Sequence, residues 1–557
     1  MKSLIGTLCI YCLFILTNNI VSSYGDDLYP LTIMHTNDFH ARFKETNVKG
    51  NPCKSDEKCI GGLARVLHTV KRIIKEQEKK NIESLYINAG DNFQGTVWYN
   101  IGRWNVTSEL MNIQPPDVMV LGNHEFDHGI DGLLPFLNTM DKTEIVVANM
   151  DAKNEPQVAK KIKPFTIIKK KYRNIGVIGV IVEEVPDLAD TGNLKFRNES
   201  EAIIEAARNL KKQDPSVNII IVVSHAGFDV DKIIAERAGS EVDIIVGGHT
   251  HTVLYTGTPP GPEKREDNYP YVYNHPSGNK VLLVQAVCHA KYVGNLTVFF
   301  DKAGKVVKYE GAPIYMDTKV EQDKDVLEAM KPWRKLIDEK TKVVVGKTNV
   351  DMPKDICRSE ECALGNFYTD AMIDAFGDKE NCKSGSTWTK APIALAHAGS
   401  LRSPLQQGGM YVHYSDALLL APFTNMVVGY DLPGAKLKEA LEFSAAPKNE
   451  DEKRRFLQMS GVKVTYNMTR PANNRIVDLK VRTNGCPYDR YENLDENKMY
   501  QVASPSFLQG GGDGFKMLRD YAKNIHNQKI DLDALVDYLK KFSPIASKPE
   551  GRITIIH

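Results

Sequence analysis

The sequence predicts a layered α/β protein of two domains joined by a helix, and three observations predict it. Its 557 residues, at roughly 150 per domain, suffice for three or four domain equivalents or two large domains. Up to about residue 315 one unit recurs: a short β-branched run, a loop holding His, Asp, Asn or Gly, then an amphipathic stretch, the alternation of strands layered with helices. Beyond it a highly charged stretch with a helical apolar stripe separates this part from a second run of strands, helices and Gly-rich loops.

The strand candidates are, in order, Leu31–His35, Leu85–Asn88, Val118–Leu121, Ile145–Ala148, Ile175–Val182, Ile219–Val223, Val242–Val246 and Val281–Ala286. Each is short and rich in residues that fit a pleated, buried surface. Leu63, Val66, Leu67, Val70, Ile73 and Ile74 recur at helical spacing and form one apolar stripe. Between Glu321 and Lys340 a second stripe, Val326, Leu327, Met330, Trp333, Leu336 and Ile337, marks the connecting helix, with a kink expected at Pro332. The expected units are a signal peptide at 1–23, a first domain at 24–317, a linker helix at 318–342 and a second domain at 343–557.

Composition narrows the function. Hydrophobic residues make up 42% and charged residues 25%, which excludes disorder as the main state. Lys and Arg number 71 against 70 Asp and Glu, so the electrostatic footprint of a polymer-binding protein is missing. Any nucleic-acid link is expected through a nucleotide, with no nucleic-acid polymer as partner.

Lys2, the apolar run Leu4–Leu16 and Val21-Ser22-Ser23 read as a signal peptide cleaved after Ser23. Lys540, Lys541, Lys548, Glu550 and Arg552 break any lipid-anchor tail, so a soluble, secreted protein without a membrane anchor is expected. Cysteines agree: the pairs Cys53/Cys59 and Cys357/Cys362 are spaced to close short loops. Cys288, Cys382 and Cys486 leave an odd thiol, with Cys382–Cys486 as a guessed pair. Sequons at Asn105, Asn198, Asn295 and Asn467 fit a glycosylated extracellular protein.

The chemistry lies in the loops that leave these strands. Asn37-Asp38-Phe39-His40, Gly90-Asp91-Asn92, Gly122-Asn123-His124-Glu125-Phe126-Asp127, Ser224-His225 and Gly247-Gly248-His249-Thr250-His251 each depart from a strand at its C-terminal end, where open α/β sheets place their sites. Divalent cations are held by carboxylate, amide and imidazole, and a dinuclear centre needs one carboxylate that reaches both ions. Asp38 and His40 can turn to one ion, Asp91 can bridge, and Asn123, His225 and His249 can hold the second. One Asp-x-His alone is ordinarily structural; five such segments in order, each at a strand end, are not independent. His68 and His128 have no such company and read as surface or packing residues.

This ordered set resembles the calcineurin-like metallophosphatases. Asp91-Asn92-Phe93-Gln94-Gly95-Thr96 and Gly122–Asp127 narrow the likeness to the 5′-nucleotidase family, and within it to secreted salivary apyrases of blood-feeding arthropods. The resemblance implies a four-layer αββα metallophosphatase domain, a linker helix and a C-terminal α/β nucleotide-binding domain. It implies two divalent ions, zinc first, with calcium, magnesium or manganese as alternatives: Asp38, His40 and Asp91 around one, Asp91, Asn123, His225 and His249 around the other. His251 sits where some members supply a ligand to the first ion through another side chain. The catalytic dyad falls on His124 and Asp127, and a phosphate-side arginine on Arg42.

In the second domain the resemblance places a base-stacking pair on Phe423 and Phe507, arginines for ribose and phosphate on Arg358 and Arg402, and a ribose acid on Asp513. Where many members carry asparagine this chain has His397, which lacks the paired donor and acceptor of an amide. The implied activity is hydrolysis of ATP and ADP to AMP and phosphate by water activated between two ions, which would inhibit ADP-driven platelet aggregation. A 5′-nucleotidase taking AMP to adenosine is the near alternative. A non-catalytic ADP-sequestering protein has no use for a complete metal and dyad set.

Overall fold

The computed structural model describes residues 28–557 apart from 49–52, 54–57, 378–382, 384–385, 406–409, 424 and 488–489. The signal-peptide reading and Cys382 lie outside the described residues.

Two large sheets build the first domain. In one, strand Tyr29–Thr36 runs parallel to Glu83–Asn88, which continues through Val118–Met119 to Glu144–Ile145, and antiparallel to Tyr292–Phe300 on its other side. In the other, Asn174–Ile181, Ile219–His225, Ile244–Gly247 and Lys280–Val284 are parallel, with antiparallel edges Phe165–Lys169 and Tyr271–Asn274. Both sheets share one hydrophobic core. Helix Leu63–Lys79 packs against the first sheet, and helices Glu199–Gln213 and Phe228–Ala238 against the second. Every residue of Ile219–His225 is buried, and its first five residues, Ile219–Val223, are an unbroken apolar run rather than an alternation, as a doubly covered parallel strand requires.

All eight strand candidates coincide with strands or their immediate ends. Tyr292–Phe300 is not among them; Gly294 and Asn295 interrupt its apolar sequence. The glycine has a packing cause: a side chain there would overlap the His35 imidazole across the pair His35–Gly294.

The connecting helix spans Lys324–Thr341, capped by Asp323, whose carboxylate accepts from the Asp325 and Val326 amides. It continues through Pro332 without a break, so the expected kink does not interrupt it. Its inner face buries Val326, Met330 and Ile337, each worth about 1.5–3 kcal/mol relative to exposure. Leu327 and Leu336 instead remain more than a third exposed.

The second domain holds a five-stranded sheet ordered Leu457–Ser460, Ile393–His397, Met499–Pro505, Met426–Pro433, Lys523–Ile530, and a four-stranded sheet built on Val462–Asn467. Disulfides Cys53–Cys59 and Cys357–Cys362 close loops six and five residues apart; each contributes about 2 kcal/mol in the chain-entropy view. Cys288 carries a free, buried thiol. The domains touch where Val185–Leu188 meets the turn Gly512–Gly514, and where Asn100 Nδ2 donates to the Leu418 carbonyl at 3.5 Å. No helix of the described residues is long and apolar enough to cross a membrane.

Candidate active site

The first two strand-end loops are zipped together by their backbones: Asp38 N–H donates to Gly90 O, His40 N–H to Asp91 O and Ala41 N–H to Asn92 O, all at 3.0 Å. Asp38, His40, Asp91, His249 and His251 all sit at positive φ, a strained arrangement that persists only where the surroundings over-determine it. The buried Glu125 carboxylate is one such surrounding. It accepts from the amides of Asp91, Asn92, Phe93 and Gly122, fixing the loop that carries Asp91. Gly122 must lack a side chain, since a Cβ there would overlap Asp91 Oδ1.

These loops bring the candidate ligands into one pocket. Asp91 Oδ2 lies 3.8 Å from His40 Nε2 and 3.2 Å from His225 Nε2, so a single oxygen faces both halves. On one side Asp38, His40 and His251 cluster, with His251 Nε2 3.3 Å from Asp38 Oδ1 and 3.1 Å from His40 Nε2. On the other Asp91, His225 and His249 cluster, with His249 Nδ1 2.9 Å from Asn123 Oδ1. Spacings of roughly 3–3.4 Å are those of adjacent ligand atoms around one ion with bonds near 2.1 Å.

The donors fit divalent cations. His225 Nδ1–H donates to the Ala89 carbonyl at 2.7 Å, which fixes the tautomer and aims the Nε2 lone pair inward. That Nε2 is fully buried, and although Asp91 Oδ2 is 3.2 Å away it makes no hydrogen bond of good geometry, a costly condition for a polar atom unless a cation takes the lone pair.

His124 and Asp127 sit at the rim. The His124 imidazole donates from Nδ1 to Asp127 Oδ2 at 2.8 Å, and its backbone N–H donates to Asp91 Oδ1 at 2.9 Å. Burial works against charge on this ring, but the carboxylates of Asp127 and Asp91 outweigh it and the net shift is upward. Gln94 steadies Asp127 through a 3.2 Å hydrogen bond. Arg42 donates from Nη1 to the His40 and Gly95 carbonyls, both at 2.7 Å, which holds its positive charge beside the His40 loop.

The second domain brings Arg402 within electrostatic reach of the dyad. Arg402 stacks over Phe423, 5.3 Å from the ring centre, and is within electrostatic reach of Asp127, Asp513, Arg358 and Arg454. One arginine therefore senses both the dyad of the first domain and the acid of the second. Phe507 stacks on His397 at 5.8 Å. His397 is fully engaged: Nε2–H donates to Asp513 Oδ2 at 2.9 Å, and Nδ1 accepts from Ser400 Oγ at 2.8 Å. Both ring nitrogens are thus taken, and the ring lies against Phe507. Asp513 also accepts from Arg454 Nε at 2.9 Å; burial alone would raise this acid, but His397 and Arg454 hold it down at about 2.

Sequence reasoning missed Glu125, Gln94, Arg454, Cys288 and His289. Glu125 sat inside a motif and was readable as a capping carboxylate; Arg454 belongs to no motif and is brought in only by tertiary packing. If Phe423 and Phe507 grip a base, removing either ring should raise KM for a nucleotide by about one to two orders of magnitude, at ~1–3 kcal/mol per stacked face. Hydrolysis of a simple phosphate ester by the same variants should be nearly unchanged. Equal losses on both substrates would make the rings structural.

Residues 31–253 match the calcineurin-like phosphoesterase family and residues 344–520 the 5′-nucleotidase C-terminal domain. The chain is 89% identical to a 5′-nucleotidase-related protein of Glossina morsitans morsitans over the full length of both. It is 40% identical to an apyrase of Tabanus yao, covering 95% of this chain and 94% of that one. The solved structure of a 5′-nucleotidase precursor from Thermus thermophilus superposes with a TM-score of 0.75 at 30% identity, covering 95% of this chain and 99% of the other. With both domains matched and relatives aligned along nearly its whole length, the chain belongs to the 5′-nucleotidase family of calcineurin-like phosphoesterases.

Proposed function

We propose that this nucleotide phosphohydrolase is a secreted apyrase that removes the terminal phosphates of ATP and ADP, stops at AMP, and thereby inhibits ADP-driven platelet aggregation. The observation that carries the reading is the juxtaposition of a metal-ready pocket and the His124–Asp127 dyad from one domain with Arg402 from the other. The secretory part rests on the signal-like residues 1–23, and the apyrase part on the likeness to the Tabanus protein of that name.

Two divalent ions, held by Asp38, His40 and Asp91 and by Asp91, Asn123, His225 and His249, would activate water and neutralise phosphoryl oxygens. The chain's own groups do the rest. Asp91 ties the two halves together, and Glu125 keeps its loop in place through four backbone amides. Asp127 orients His124 from Nδ1, leaving Nε2 free of that bond, and the ring lies 5.1 Å from His40 between centres. A protonated His124 there stabilises negative charge growing on the leaving side. Arg42 and Arg402 add positive charge from either domain, and Phe423 and Phe507 supply π faces for the base.

Platelets separate hydrolysis from sequestration. The protein should abolish aggregation driven by a catalytic excess of ADP and leave aggregation driven by a non-hydrolysable ADP analogue intact. Equal inhibition of both would mean that ADP is bound rather than cleaved.

A further inference from the structure

The segment 285–291 leaves strand Lys280–Val284 at the same end as the metal loops and carries two donor side chains that the mechanism does not use. Cys288 is buried with a free thiol. His289 faces His251 and His40, with ring centres 5.6 and 5.5 Å apart. One ligand atom each of His251, Cys288 and His289 lies within 4.8 Å of the others.

This segment is pinned to the first metal loop. The Asn37 carboxamide accepts from Ala286 N–H at 2.8 Å and donates to the Val287 carbonyl at 2.7 Å. His289 N–H donates to the Asp38 carbonyl at 2.8 Å. The donors are thus preorganised by the same backbone that presents Asp38.

We propose that His251, Cys288 and His289 form a third cation position, flanking the dinuclear pair, that takes a thiophilic ion of the zinc class. One thiolate and two imidazoles make a three-ligand set suited to zinc, with a fourth position left open. Hard ions such as magnesium and calcium prefer oxygen and are poorly served by it. The Cys288 proton leaves to solvent on binding. The resulting thiolate, with the Asp38 carboxylate 3.3 Å from His251 Nε2, offsets the repulsion of a third cation. Committing His251 here leaves the first position with Asp38, His40 and Asp91, still three ligands with an opening.

The position is tested without any nucleotide. The full chain, loaded with zinc and freed of unbound metal, should carry about three zinc ions by elemental analysis, and C288S about two. Loaded with cobalt, the native protein should show a thiolate-to-cobalt charge-transfer band in the near ultraviolet that C288S lacks. Should C288S not fold, the band in the native chain and its loss in H289Q decide the matter. Two zinc ions in native protein and variant alike, or a third ion without a thiolate band, would overturn the proposal.

Discussion

Asp91→Ala is expected to lose both ions of the dinuclear pair and essentially all hydrolysis, a drop of more than about a thousandfold, beyond the ~10–100-fold typical of losing an outer partner of a metal ligand. The cause is positional. Its Oδ2 is the oxygen that faces His40 and His225 at once, and its Oδ1 receives the His124 amide. No neighbouring carboxylate replaces it, because Glu125 is committed to backbone amides and Asp38 faces the first half alone. Elemental analysis beside the rate decides the case: two ions retained in the dinuclear pair of this variant would contradict the bridging assignment.

The dyad variants should separate from that result. His124→Ala is expected to keep its metal and lose rate by about 10²–10⁴, the usual contribution of a positioned acid–base group. Asp127→Ala should do likewise, since its carboxylate sets the orientation and proton of the His124 ring. The double variant should fall little further than His124→Ala alone, because groups that act as a unit are not additive. Losses that multiply in the double variant would mean that Asp127 acts through something other than His124.

The fold was legible because its strands are short β-branched runs and each reactive loop comes directly after one. Ile219–Val223 could be read as a strand from its continuous β-branched sequence. Tyr292–Phe300 could not, because Gly294 answers to the His35 ring across the sheet, a requirement that no local pattern carries. At the site, Asp38, His40, Asp91, Asn123, His225, His249 and His251 were readable as strand-end residues, and the structure gathers them in one pocket. Cys288 and His289 obey the same strand-end rule but match no familiar string, so position alone could have flagged them. His397 was readable as a departure from asparagine, but not as a ring whose two nitrogens are already taken by Asp513 and Ser400.

Cleavage of terminal phosphates from di- and triphosphates is tested by measuring phosphate release from ATP, ADP and AMP side by side, each with zinc, calcium or magnesium. Comparable rates on ATP and ADP and a much slower rate on AMP are expected. Faster release from AMP than from ADP, at adequate metal, would contradict the claim and make the chain a 5′-nucleotidase that produces adenosine.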